Sequence, residues 1–120
     1  MATHNELGSR GEDLAAHHLV KKGYQIQERN WYFGKEEIDV IAIQGNELVI
    51  VEVKTRNSDF FGAPHQFISK SKQAHLVRAA HAYVQKFGLD LEVRFDVIGV
   101  ILNGREQRIE HIERAFLPRW

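Results

Sequence analysis

The 120-residue chain has no cysteine, one methionine and two prolines. Without cysteine there are no disulfides, no zinc-thiolate centre and no thiol nucleophile. No apolar run approaches the ~20 residues needed to cross a bilayer, and the opening Met1-Ala2-Thr3-His4-Asn5-Glu6 is unlike a signal peptide. These absences lead us to expect a cytoplasmic protein with no membrane partner. Net charge is lacking too, with 16 Lys and Arg against 16 Asp and Glu, which argues against a strongly basic nucleic-acid coat. That argument weakens if some carboxylates hold metal, because the rest of the surface is then net positive. Internal repeats, low-complexity segments and linkers are also missing, so residues 1–120 read as a single domain with room for a sizeable core.

What the chain does have is a charged hairpin. Glu37-Ile38-Asp39-Val40-Ile41-Ala42-Ile43 and Leu48-Val49-Ile50-Val51-Glu52-Val53-Lys54 flank a polar turn that contains Gly45-Asn46. With Gly45 and Asn46 as the turn, Asp39 lies opposite Glu52, Glu37 lies opposite Lys54, and all four share a face. Glu37 and Lys54 then form an ion pair that positions the lysine. Asp39 and Glu52 are like charges face to face, which destabilises a sheet unless something neutralises them. A divalent cation would do so.

The flanking elements are read from periodicity. A helix runs from Glu6 to Lys22, with Asn5 as N-cap and Gly23 as stop, and its apolar side is Leu7, Leu14, Ala15, Ala16 and Leu19. Glu12 falls within about 40° of Ala16 and Leu19 on the wheel. It either enters the packed face or sits at the stripe's edge with its head in water, and Gly8 and Gly11 beside it would admit another backbone. Tyr24–Phe33 suits a strand near an edge, and Gly34-Lys35 turns the chain into the hairpin. Leu48–Val53 is apolar at both parities, so helices are expected on both faces of the sheet.

Thr55–Ser69 is a long loop of the kind that often carries function. Its Phe60 and Phe61 either clip it to the core or, if exposed, stack on a base. Ser69 or Ser71 caps a second helix that ends at Phe87, with Gly88 after it and an apolar stripe of Ala74, Val77, Ala80, Val84 and Phe87. Lys70 and Lys72 occupy its first turn, the unfavourable end for a cation. They point to a phosphate partner, or at least one is a solvated surface lysine. Leu91–Leu102 is a further strand, with Arg94 and Asp96 on one face as an ion pair. Arg105–Ile112 is a short final strand, after which Ala115-Phe116-Leu117 packs down. The seven histidines show no zinc-site spacing, and no phosphate-binding glycine loop or dinucleotide fingerprint is present.

Asp39 and Glu52 are hard oxygen ligands suited to Mg²⁺ or Mn²⁺, to which the Val53 carbonyl could add. Lys54, on the same face, could orient water and stabilise a pentacovalent phosphate, and Arg56 shares that parity. Glu12, if it reaches the site, would complete the coordination. The chemistry implied is phosphodiester hydrolysis.

An Asp, a hairpin turn and Glu-x-Lys at the end of a buried strand resemble the PD-(D/E)xK nuclease superfamily, with Asp39, Glu52 and Lys54 at the motif positions and Ile38 where proline is usual. More closely, the chain resembles the small bacterial YraN-like family. That likeness is carried by Gly11-Glu12 with Leu14-Ala15, Gly23-Tyr24, Arg29-Asn30, Glu37-Ile38-Asp39, Val51–Arg56, Arg94–Val97 and Ala115-Phe116. Glu36 stands where that family commonly has glycine. The resemblance implies a restriction-endonuclease-like α/β fold, a mixed central sheet flanked by helices on both faces. It also implies kinship with archaeal Holliday-junction resolvases, which bring a Glu from the first helix to the metal, a role that falls to Glu12. The expectation is a Mg²⁺- or Mn²⁺-dependent nuclease acting on DNA, with branched or structured DNA among its candidate substrates. The alternative is a non-catalytic nucleic-acid-binding or accessory protein on the same fold. The small surface favours a partner or a homodimer in either case.

Overall fold

The computed structural model describes residues 3–57 and 68–118; Phe60 and Phe61 lie outside them. Helix α1 (His4–Lys21) leads into β1 (Gln25–Phe33), β2 (Glu36–Gln44) and β3 (Glu47–Arg56), and α2 (Lys70–Phe87) is followed by β4 (Glu92–Leu102) and β5 (Gln107–Phe116). The five strands form one sheet in chain order. Among these strands only β3 and β4 run parallel, so α2 is the crossover that a parallel pair requires. The result is the mixed sheet with helices on both faces expected of a restriction-endonuclease-like fold. Among the described residues, no helix is long and apolar enough to cross a membrane.

Alternation along the central strands builds two cores. Leu48, Ile50, Phe95 and Val97 pack with Leu76, Ala79, Ala80 and Tyr83 of α2. Val49, Val51, Ile98 and Val100 pack with Ala15 and Leu19 of α1 on the other face. Burying one such aliphatic side chain is worth about 1.5–3 kcal/mol, so each helix is held chiefly by its apolar face.

Local details depart from expectation in instructive ways. Helix α1 begins at His4, capped by Thr3 rather than Asn5, with Thr3 Oγ1 accepting from the Glu6 N–H at 3.1 Å. Thr3 and Glu6 have capping-box spacing. In α2 the cap is Ser69, whose hydroxyl accepts from the Lys72 N–H at 3.1 Å, and Gly88 closes the helix at φ 59°. The buried side of α2 is Leu76, Val77, Ala79, Ala80 and Tyr83. It is offset from the expected stripe, because the bulk of Leu76 and Tyr83 outweighs Ala74, and Phe87 is left 48% exposed. The last strand extends to Phe116, which stacks on Phe95 with ring centroids 4.8 Å apart.

Candidate active site

The β2–β3 turn sets the geometry. Gln44 pairs with Glu47, and the register continues without slip to Val40 opposite Val51. Gly45, at φ 59°, takes the first turn position, where a type II′ hairpin wants glycine. Beyond Val40–Val51 the two strands part. Asp39 Oδ2 accepts the Val53 N–H at 2.7 Å, so a side chain takes over a ladder bond. On the other side of β2 the ladder to β1 passes from Arg29–Val40 to Trp31–Ile38, leaving out the intervening Asn30–Asp39 pair. Asn30 there has φ 52°, a left-handed conformation that Asn tolerates better than most residues. The interruption shows in packing: Ile38 joins the core under α2, whereas Val40, two residues on, joins the core under α1.

Asp39 and Glu52 are both buried, 7% and 5% exposed. Burial, followed by the charge of Glu52, pushes the Asp39 carboxyl up to about 8, against the pull of the Val53 N–H. Burial also raises Glu52, opposed by the ammonium groups of Lys72 and Lys54. Lys54 Nζ lies 3.9 Å and Lys72 Nζ 3.8 Å from the same oxygen, Glu52 Oε1. The other oxygen, Glu52 Oε2, is buried with no hydrogen-bond partner. A buried carboxylate oxygen left unpaired is costly, and its chemistry fits a hard cation. Among the described residues no three His, Asp or Glu side chains gather into a metal cluster. The protein would therefore offer two carboxylates, the number with which Mg²⁺ is often content when water fills its remaining positions.

Glu12 comes to the edge of this site. Its Oε1 accepts from Asn30 Nδ2 at 2.9 Å, and the same amide reaches Glu37 Oε2 at 3.4 Å. Glu12 is near enough to help raise Asp39, and it lines a cleft of about 170 Å³ with Leu7, Gly8, Val53, Lys54, Thr55 and Arg56. The close approach foreseen at two glycines occurs at one. A Cβ on Gly11 would collide with Thr55 Oγ1 and lie 2.9 Å from Thr55 Cβ, whereas Gly8 faces open space. Gly11 thus lets α1 settle on the end of β3 and sets the position of Glu12.

The expected Glu37–Lys54 ion pair is replaced. Lys54 turns to Glu52, while Glu37 takes Asn30 and the Tyr32 hydroxyl, because the strands have already parted at that level. Lys70 and Lys72 also separate. Lys72 reaches Glu52, whereas Lys70 is exposed and lines a different hollow with Gln73, Ala74, Val77, Phe116 and Leu117. Arg56 is exposed at the mouth of the Glu12 cleft, with Nη1 donating to the Thr55 carbonyl at 3.2 Å. Sequence reasoning missed Asn30 as the link between Glu12 and Glu37. Its place next to Arg29 in a strand with broken alternation was the available sign.

Arg94 and Asp96 form the anticipated ion pair, at 2.9 Å, as the centre of a larger structural network. Arg94 also donates to Tyr24 Oη at 2.6 Å and to Glu47 at 3.1 Å. Asp96 accepts from the Arg114 N–H at 3.1 Å and contacts His111 Nε2 at 2.7 Å. Burial works against the Asp96 charge, but the bonds from His111, Arg94 and the Arg114 N–H hold its carboxyl below the usual range. The network ties β4 to the β2–β3 turn and to β5, away from the parted ends.

Comparison with known proteins agrees over most of the chain. The model of a family described as "Uncharacterised protein family UPF0102" matches residues 11–100, which include Glu12, Asp39, Glu52, Lys54 and Lys72. A UPF0102 protein of Flavobacterium psychrophilum is 54% identical over 116 residues, 97% of this chain and 98% of the relative. UPF0102 proteins of Phocaeicola vulgatus and Bacteroides thetaiotaomicron are 46% and 48% identical over 118 residues, each match covering 98% of both chains.

Proposed function

This chain belongs to the UPF0102 family, and we propose that it is a divalent-metal-dependent nuclease that hydrolyses phosphodiester bonds in DNA, with branched or structured DNA among its candidate substrates. The observation that carries the reading is the buried Asp39–Glu52 pair, with Glu52 Oε2 unpartnered where β2 and β3 part. Two like charges at that depth are expensive; without metal the pair avoids them by keeping a proton on Asp39, and a bound cation would take that proton's place.

Asp39 and Glu52 would hold Mg²⁺ or Mn²⁺, with the Val53 carbonyl and Glu12 available beside them. The ion, when bound, lowers the pKa of water and neutralises charge on the phosphoryl group. Lys54 Nζ donates to the attacking water or to a non-bridging phosphate oxygen and so orients the two for reaction. Water forms the new P–O bond while one P–O ester bond breaks, and the proton that water gives up reaches the leaving oxygen through solvent. Glu37, through Asn30, positions Glu12. Arg56 and the α2 lysines Lys70 and Lys72 supply cations for flanking phosphates. On this reading the protein works in the cytoplasm, and a homodimer would enlarge the small surface offered to DNA.

The test is incubation of the purified protein with branched, single-stranded and duplex DNA in Mg²⁺ or Mn²⁺. Cleavage should disappear with chelator, with Asp39→Ala and with Glu52→Ala. Failure to cut any of these substrates, or cutting that survives Asp39→Ala, would overturn the reading. One observation favours a second reading, a non-catalytic nucleic-acid-binding protein: Glu12 is engaged by Asn30. Salt-sensitive DNA binding that ignores both chelator and Glu52→Ala would select it.

A further inference from the structure

Lys72 is oddly placed for a surface lysine. It lies in the first turn of α2, where the helix dipole disfavours a cation, and no acidic residue of that turn offsets it. Its ammonium instead reaches across to β3 and stops 3.8 Å from Glu52 Oε1. The same oxygen already has Lys54 at 3.9 Å, so two cations crowd one side of the carboxylate. Yet Oε2 of that carboxylate has no partner. Lys72 is about one-third exposed, and its long stem lets the head group leave without disturbing the buried face of α2.

We infer that Lys72 is a displaceable counter-ion: it neutralises Glu52 while the site is metal-free and leaves when a divalent cation binds. The inference rests on the proposed metal site and deepens it. The ammonium and the metal ion compete for the negative charge of one carboxylate, Lys72 at Oε1 and the ion at Oε2, so each weakens the other. On metal loading the ammonium is freed at the rim of the site, where a phosphate can take it. Lys72 is therefore a positioning residue that couples metal loading to substrate capture, while Lys54, on the same strand as Glu52, remains beside the ion.

The probe is Mn²⁺ alone, titrated into the full-length protein at pH 8.5 to limit competition from protons, with free Mn²⁺ read by electron paramagnetic resonance. Lys72→Met retains length and removes charge. It should bind Mn²⁺ about tenfold more tightly than the wild type, the size expected for removing one partly screened charge a few ångströms from the ion. Lys72→Arg keeps the charge and should bind as the wild type does, and thermal melts with chelator check that both variants fold. Equal or weaker Mn²⁺ binding by folded Lys72→Met would overturn the inference and leave the metal site standing. If neither the wild type nor Lys72→Met binds Mn²⁺, the metal site and the inference fall together.

Discussion

Replacing Asp39 with asparagine should stabilise the metal-free protein, by an amount that grows as pH rises from about 4 to 8. The sign follows from proton linkage. Asp39 is raised in the fold from 3.8 to about 8, so between those pH values the folded state binds a proton that the unfolded state has released. Stability therefore falls as pH rises through that window. At about 1.4 kcal/mol per factor of ten, the full rise is worth about 6 kcal/mol. Glu52 shares the titration, which leaves about 2–4 kcal/mol for Asp39 alone. The introduced amide would keep an oxygen to accept the Val53 N–H and would carry no charge towards Glu52. With chelator present, Asp39→Asn should approach the wild type near pH 4 and melt roughly 10 °C higher at pH 8.5, given the usual slope for a domain of this size. Mn²⁺ at pH 8.5 should then raise the wild type far more than the variant. Equal melting of the two proteins at pH 8.5, or a variant less stable there, would refute the argument that burial and Glu52 strain this carboxylate.

Two further substitutions probe the scaffold. Arg94→Met leaves Asp96 buried with its principal cation gone and should lower unfolding free energy by about 3–5 kcal/mol, read from urea denaturation. Gly11→Ala forces a methyl group into Thr55 and should lower stability by about 1–3 kcal/mol, with part of the loss recovered in Gly11→Ala/Thr55→Ala. Gly8→Ala, facing open space, should cause no such loss by the same thermal melt.

The hairpin was the most legible part of the chain. Alternation and the Gly45-Asn46 turn set the register of β2 on β3, and that register runs through five pairs to Val40–Val51. The closeness of Asp39 and Glu52 could be foreseen because they follow the last ladder pair, although the strands part there and Asp39 bonds the Val53 N–H. Glu37–Lys54, one step further on that face, could not. A ladder that breaks at Asn30 and opens at Asp39 no longer obeys alternation, and Ile38 packs on the opposite face from Val40. The α2 stripe was misjudged for a related reason: equal spacing does not say which side chains fill the larger gap, and the bulk of Leu76 and Tyr83 decided it.

By itself, then, the sequence determined what depends on neighbours along the chain. These features are the order of helices and strands, the glycine stops at Gly23 and Gly88, the hairpin turn, and a carboxylate pair stranded among β-branched residues. Only the tertiary structure decided what meets across the sheet. Lys72 approaches Glu52 because α2 must cross over between parallel β3 and β4. Glu12 reaches Asn30 because Gly11 lets α1 settle against Thr55. Such contacts join residues far apart in sequence through the twist and packing of whole elements, and no local pattern of residue types encodes where a long side chain's charged end will come to rest.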